Sequence, residues 1–214
     1  MSVRSNTKNN IYLLHVFHMP NRNKTGRKLL PSTGTALLLL DVITNFEFED
    51  GDRLLKNTIP VTNNLGDLKA RANRTGVPVI YVNDNFGKWQ EDFRTMSEHF
   101  AREDSKGCEV VRRVQPGPED YYVLKPHRSA FYSTTLEILL RELQITKLVV
   151  TGITTDICVL FSANDAYMRG FEIYIPSDCV AAVEPTHSKR TLEFMERVLK
   201  ADTRPSHKVS FRKA

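Results

Sequence analysis

Residues 147–170 read KLVVTGITTDICVLFSANDAYMRG. The stretch opens on a continuous apolar run, as in a strand covered on both faces. A glycine and threonines turn the chain. Helical spacing then runs from about Thr155 to Arg169, where Gly170 stops it. A strand feeding straight into a helix is half of a βαβ unit. Cys158, one of three cysteines, falls in the first turn of that helix. The unpaired amides and dipole at such a terminus stabilise an anion, so this address predicts a thiol titrating below its ordinary value of about 8.5.

The same alternation extends outward in both directions. TALLLLDV (35–42) is an apolar run ending in an acid, and ITNFEFEDGD reads as a loop. Residues 53–75 have helical spacing closed by RTG, with Gly76 as the residue after the cap. VPVIYVND is a second buried strand, followed by the loop NFGKWQEDF and a helix. Residues 102–121 read as irregular, with turns at Pro116, Gly117 and Pro118. YYVLKP is a third strand ending at Lys125, and TTLEILLREL (134–143) an amphipathic helix. KLVVTG is the fourth strand, FEIYIPSDCV the fifth, and EPTHSKRTLEFMERVLKA the last helix.

Alternating strands and helices predict right-handed crossovers. The fold class is α/β: a three-layer αβα, Rossmann-like, doubly wound and mostly parallel sheet of five to six strands. Ligands bind such sheets outside the carboxyl ends of the strands. That rule points to Asp41, Asp84, Lys125 and the Gly152–Cys158 turn, each just past a different strand.

Composition sets the bounds. A chain of 214 residues suits one α/β domain with a sizeable core. Hydrophobic residues make up 41% and charged residues 26%, ordinary for a globular protein. No apolar run approaches the roughly 20 residues that cross a bilayer. The formal charge of +5 is concentrated in an acid-free head: Arg4, Lys8, Arg22, Lys24, Arg27 and Lys28 precede Ala36 and exceed the total. The remainder is slightly acidic, which gives no basic face for nucleic acid. Residues 1–32 therefore read as a basic extension or a targeting segment. Residues 33–205 form the domain and 206–214 a basic tail. Cysteines without C-x-x-C pairing or a Cys/His cluster point to a reducing, cytoplasmic setting rather than a disulfide scaffold or structural zinc.

The three strand-end groups make a chemical set. Cys158 supplies a nucleophile, Asp41 a general base, and Lys125 an ammonium that supports a thiolate or an oxyanion. With these residues in view, the chain resembles the isochorismatase-like cysteine hydrolase superfamily. That group includes nicotinamidases, N-carbamoylsarcosine amidases, ureidoacrylate amidohydrolases and isochorismatases. The resemblance spans roughly residues 33–204 and rests on LLLLDVITNF, VLKPHRSAFYSTTLEILLR and TGITTDICVLFSANDAYMRGF. It implies Asp41, Lys125 and Cys158 as a catalytic triad, a cis peptide between Ile153 and Thr154, and an oxyanion hole from the amides of Thr154 and Cys158. It further implies hydrolysis of a small amide, ureide or related C–N bond through a thioester, and assembly as a homodimer or homotetramer without membrane or nucleic-acid partners.

The match departs in two places. Asn45 stands where much of the family has a second acid, and Thr44 where it has Asn. Nicotinamidases carry a D-x-H metal element after strand two, whereas this chain reads Asp84-Asn85-Phe86. The expectation is therefore no metal and no other cofactor, with His99 an exposed helix residue. The pocket candidates are Phe46, Asn83, Asp84, Phe86, Trp89, Phe131 and Thr155, and His127 and Arg128 could pair a substrate carboxylate. Two rival readings stand beside the hydrolase: a binding or scaffold subunit with altered chemistry, and a thiol-redox role for Cys158 with Cys179.

Overall fold

A computed structural model describes residues 34–85, 87 and 92–211. Six strands are named along the chain: β1 (Thr35–Leu40), β2 (Val79–Asp84), β3 (Tyr121–Lys125), β4 (Lys147–Ile153), β5 (Glu172–Tyr174) and β6 (Val180–Ala181). The helices are α1 (Gly51–Thr75), α2 (Phe93–Phe100), α3 (Cys108–Arg113), α4 (Leu136–Glu142), α5 (Leu160–Met168) and α6 (Pro185–Leu199). The sheet order is β3-β2-β1-β4-β5, with β6 also pairing β4, and every pairing is parallel.

Side-chain alternation divides the core between the two faces of the sheet. Leu38, Leu40, Ile80, Val82, Leu148 and Val150 pack with Leu136 and Leu140 of α4, Ala163 and Ala166 of α5, and Met195 and Leu199 of α6. Leu37, Leu39, Val79, Tyr81 and Val149 face the other way, onto Leu65, Leu68 and Ala72 of α1 and Phe93, Met96 and Phe100 of α2. All six residues of β1 are buried, which is why its sequence is continuously apolar rather than alternating. Gly76 ends α1 with φ 71 and donates its amide to Asn73 and Ala72. Among the described residues, no helix is long and apolar enough to cross a membrane.

Three details differ from the sequence reading. The stretch FEIYIPSDCV is not one strand. It leaves β4 after pairing Tyr174 with Val149, turns at Pro176, and rejoins β4 as β6, with Val180 beside Gly152. Proline has no amide for a ladder, so the break falls where the sequence places it. The 102–121 segment contains α3, whose Val110 and Val111 are fully buried. The chain after 205 does not leave the domain at once: Ser206 donates its amide and hydroxyl to Asp178, and Phe211 is buried in the core.

The register between β1 and β4 brings Leu40 level with Gly152. Gly152 has φ 110, and a Cβ there would lie 2.1 Å from the Leu40 carbonyl oxygen. Only a residue without a side chain lets the two strand ends approach this closely. Replacing Gly152 by Ala is expected to cost more than about 3 kcal/mol, read as a lowered urea midpoint at unchanged slope. A midpoint matching the wild type would show that the strands separate without penalty.

Candidate active site

Four neighbouring strand ends supply the site. Asp41 follows β1 with φ 52, and its amide donates to Val82 at the end of β2. Its Oδ1 accepts the Asp84 amide at 2.7 Å. Its Oδ2 lies 2.9 Å from Lys125 Nζ. Lys125 ends β3, two strands away from β1, so its head group must cross beneath β2. Strands sit about 4.8 Å apart, so two spacings make about 9.6 Å, which the four-carbon stem of Lys125 and the side chain of Asp41 cover together. Its side chain is 0% exposed, and Nζ also donates to Cys158 Sγ at 3.6 Å. Asp84, in register with Lys125, places Oδ2 3.8 Å from the same ammonium.

Cys158 does not sit in a regular first turn. Thr155–Val159 form a π-helical turn that passes into α5, and the Thr154 carbonyl accepts amides from Ile157 and Val159. The Ile153–Thr154 peptide is cis. The Thr154 hydroxyl is buried without a hydrogen-bond partner among the described residues.

The electrostatics correct the expectation for the thiol. Burial pushes Cys158 up to about 12, helped by the nearby Asp41 anion and opposed by Lys125. Burial also raises Asp41, against the pull of Lys125 and its hydrogen bonds to Cys158, Lys125 and Asp84. For Lys125, burial favours the neutral amine, yet Asp41, Cys158 and Asp84 together outweigh it and hold the ammonium above its ordinary value. The resting arrangement is a protonated thiol beside an aspartate and a buried lysine cation. Desolvation and the carboxylate override the helix terminus. Moving the thiol proton to Asp41 removes the repulsion and leaves Lys125 facing the thiolate, so the arrangement permits attack on a carbonyl.

The other sequence candidates divide. Asp84 joins the site. Asn83 is fully buried and brackets the β1 exit loop, accepting the Ile43 amide at 3.2 Å and donating to the Ile43 carbonyl at 2.7 Å. Its amide is thus committed to the loop and not offered to a ligand. Phe46 packs with Leu54, Val110 and Ile153. Phe131 belongs to the α4–α5 core, with the Arg169 guanidinium 4.9 Å above its ring. Thr155 is fully buried and meets Ser188. Phe86 and Trp89 lie outside the described residues. His127 and Arg128 are exposed, as is His99 on α2. No group of three potential metal ligands occurs among the described residues. Cys179 is buried in the core on the α1 side, where burial first, then Asp178, raises its thiol.

Sequence reasoning missed a latch behind the site. Ser129 donates to Asp165 at 2.5 Å, Ser162 accepts the Ala130 amide at 2.9 Å, and Arg169 pairs with Asp165 at 3.0 Å. The first two bonds tie the loop after Lys125 to the helix after Cys158, and the third, between residues four apart at the end of α5, braces Asp165. The serines and the acid are visible in HRSAF and FSANDA, but nothing local pairs them.

With this geometry in place, comparison with known proteins decides the family. The isochorismatase domain model matches residues 35–203. The chain belongs to the isochorismatase family. It is 42% identical over 167 residues to the uncharacterized isochorismatase family protein YaaI of Bacillus subtilis, covering 78% of this chain and 91% of that one. Among solved structures it resembles the N-carbamoylsarcosine amidase of Thermoplasma acidophilum, at 25% identity and TM-score 0.61 over 82% of this chain and 98% of the other. It also resembles the pyrazinamidase/nicotinamidase of Streptococcus mutans, at 26% identity and TM-score 0.62 over 79% and 99%. These relatives support a hydrolytic role, and their fold is the parallel sheet described above.

The charge arrangement sets the sign of a labelling experiment. Iodoacetamide alkylation of Cys158, followed by peptide mass spectrometry, is expected to be slow at pH 7 and to rise only in the alkaline range. Asp41→Asn removes an anion that helps to hold the thiol up, so its inflection moves down and labelling at pH 8 accelerates about tenfold per unit moved. Lys125→Met acts in the opposite direction. A wild-type inflection below 8.5 contradicts this electrostatic account.

Proposed function

We propose that this isochorismatase family member is a cysteine hydrolase that cleaves the C–N bond of a small amide or ureide through a thioester. The observation that carries the reading is the fully buried Lys125 ammonium, 2.9 Å from Asp41 and 3.6 Å from Cys158. A buried cation is retained at a cost unless anions face it. Here the carboxylates face it at rest, and a thiolate would face it during reaction.

In this mechanism Asp41 takes the Cys158 proton as sulfur attacks the substrate carbonyl carbon. The carbonyl π electrons move to oxygen, and that oxyanion lies against the amides of Thr154 and Cys158. Collapse of the tetrahedral species breaks the C–N bond, and Asp41 returns its proton to the departing nitrogen. Water then attacks the thioester while Asp41 accepts its proton, the C–S bond breaks, and the proton passes to sulfur. Lys125 remains charged throughout. The amidase and nicotinamidase neighbours support an amide-type substrate, and the 29% identity over 154 residues to the streptothricin hydrolase of Streptomyces noursei supports hydrolysis.

The first test measures ammonia release from nicotinamide, pyrazinamide and N-carbamoylsarcosine by wild type, Cys158→Ala and Asp41→Asn. Each variant is expected to lose at least about a thousandfold in kcat/KM on whichever compound the wild type hydrolyses. Hydrolysis that survives in Cys158→Ala overturns the reading. The acidic limb of the wild-type kcat/KM profile reports the free base. Because burial raises Asp41, that limb is expected above the ordinary carboxylate range, with activity lost as pH falls through it.

A further inference from the structure

The turn carrying Cys158 is only five residues long, and its internal hydrogen bonds do not tie it to its surroundings. Thr155 opens it, three residues before the thiol, with its side chain completely buried. The Thr155 hydroxyl lies 2.8 Å from the Ser188 hydroxyl. Ser188 stands in the first turn of α6, which begins at Pro185 and packs against the Cys158 turn. The next residue of the turn repeats the contact: Asp156 Oδ2 is 3.6 Å from His187 Nδ1. Consecutive residues of the turn thus meet consecutive residues of the helix.

The two contacts are unequal. The His187 side chain is 56% exposed, and a solvated pair of this kind exerts little force. The hydroxyl pair ends on a buried group, and a buried hydroxyl that loses its partner keeps the whole cost of its lost hydration. The turn can relieve that cost by moving. Small displacements are severe here, because a misplacement of about 1 Å can reduce turnover about a hundredfold.

We infer that Ser188 is a positioning residue: through Thr155 it fixes the turn that holds the Cys158 sulfur against Lys125 and Asp41. The inference deepens the hydrolase reading and rests on it for its kinetic part. Ser188 also lines a groove of about 390 Å³ with Pro60, Val61, Pro185 and Leu192. That open side gives an added methyl group somewhere to go, so threonine should serve in place of serine.

The experiment compares Ser188→Ala, Ser188→Thr, Thr155→Val and the Ser188→Ala/Thr155→Val double variant. Cys158 alkylation by iodoacetamide is followed against pH, alongside kcat and KM on the compound that the wild type hydrolyses, and thermal unfolding reports folding. Ser188→Ala and Thr155→Val are each expected to lower kcat about tenfold with KM within about twofold. Their alkylation inflection should fall by about one pH unit as the thiol moves away from Asp41 and further into water. The double variant should lose no more than either single one, because both remove the same bond. Ser188→Thr should match the wild type. Wild-type kinetics and an unmoved alkylation profile in Ser188→Ala overturn the inference, and so does a loss that Ser188→Thr fails to restore. Activity surviving in Cys158→Ala would sink the hydrolase reading instead, and the alkylation profiles would still decide the role of Ser188.

Discussion

The site depends on one buried cation. Lys125 has no exposed side-chain surface, and its ammonium is shared by two carboxylates and a thiol. Burial alone disfavours its charge; those partners outweigh burial and hold the ammonium above its ordinary value. The reverse also holds, since Asp41 and Asp84 end adjacent strands and would repel each other without a cation between them. Three strand ends are thus held in mutual order by charge, and the fourth brings the thiol to the same point.

The sheet makes that order possible. Parallel pairing places every carboxyl end on one side, and the order β3-β2-β1-β4 puts Lys125, Asp84, Asp41 and the Cys158 turn in sequence across it. The close passage of Gly152 against Leu40 then draws the outermost contributor inward. Behind this front, Ser129 and Ala130 bond to Asp165 and Ser162 and lock the loop after β3 to the helix after β4. The backbone selects which residues can meet, and these side-chain contacts set their separation.

The alternation of strands and helices was legible because burial on both faces leaves an unmistakable apolar run in LLLL and LVV. The convergence of Asp41, Lys125 and Cys158 was legible because a parallel sheet has one functional edge. The direction of the thiol shift was not. It depends on how much water remains around sulfur and how near Asp41 comes, and neither is encoded locally. The roles of Asn83, Phe46, Phe131 and Thr155 were hidden for a related reason. A residue near a strand end can face the opening or the core, and only the packed structure shows which. The division of FEIYIPSDCV at Pro176 was within reach of a stricter reading, since proline within a run speaks against an unbroken strand.

A thiol that keeps its proton at rest has a chemical life different from that of a standing thiolate. Peroxides and adventitious electrophiles attack the anion, so sensitivity to them follows thiolate character and access. A cysteine pushed up to about 12 offers them little. In the proposed reaction the thiolate forms only when a carbonyl is in place and Asp41 can take the proton. In the hydrolase proposed above, the raised thiol of Cys158 would therefore be less open to such attack than a standing thiolate, although the residue is only partly buried.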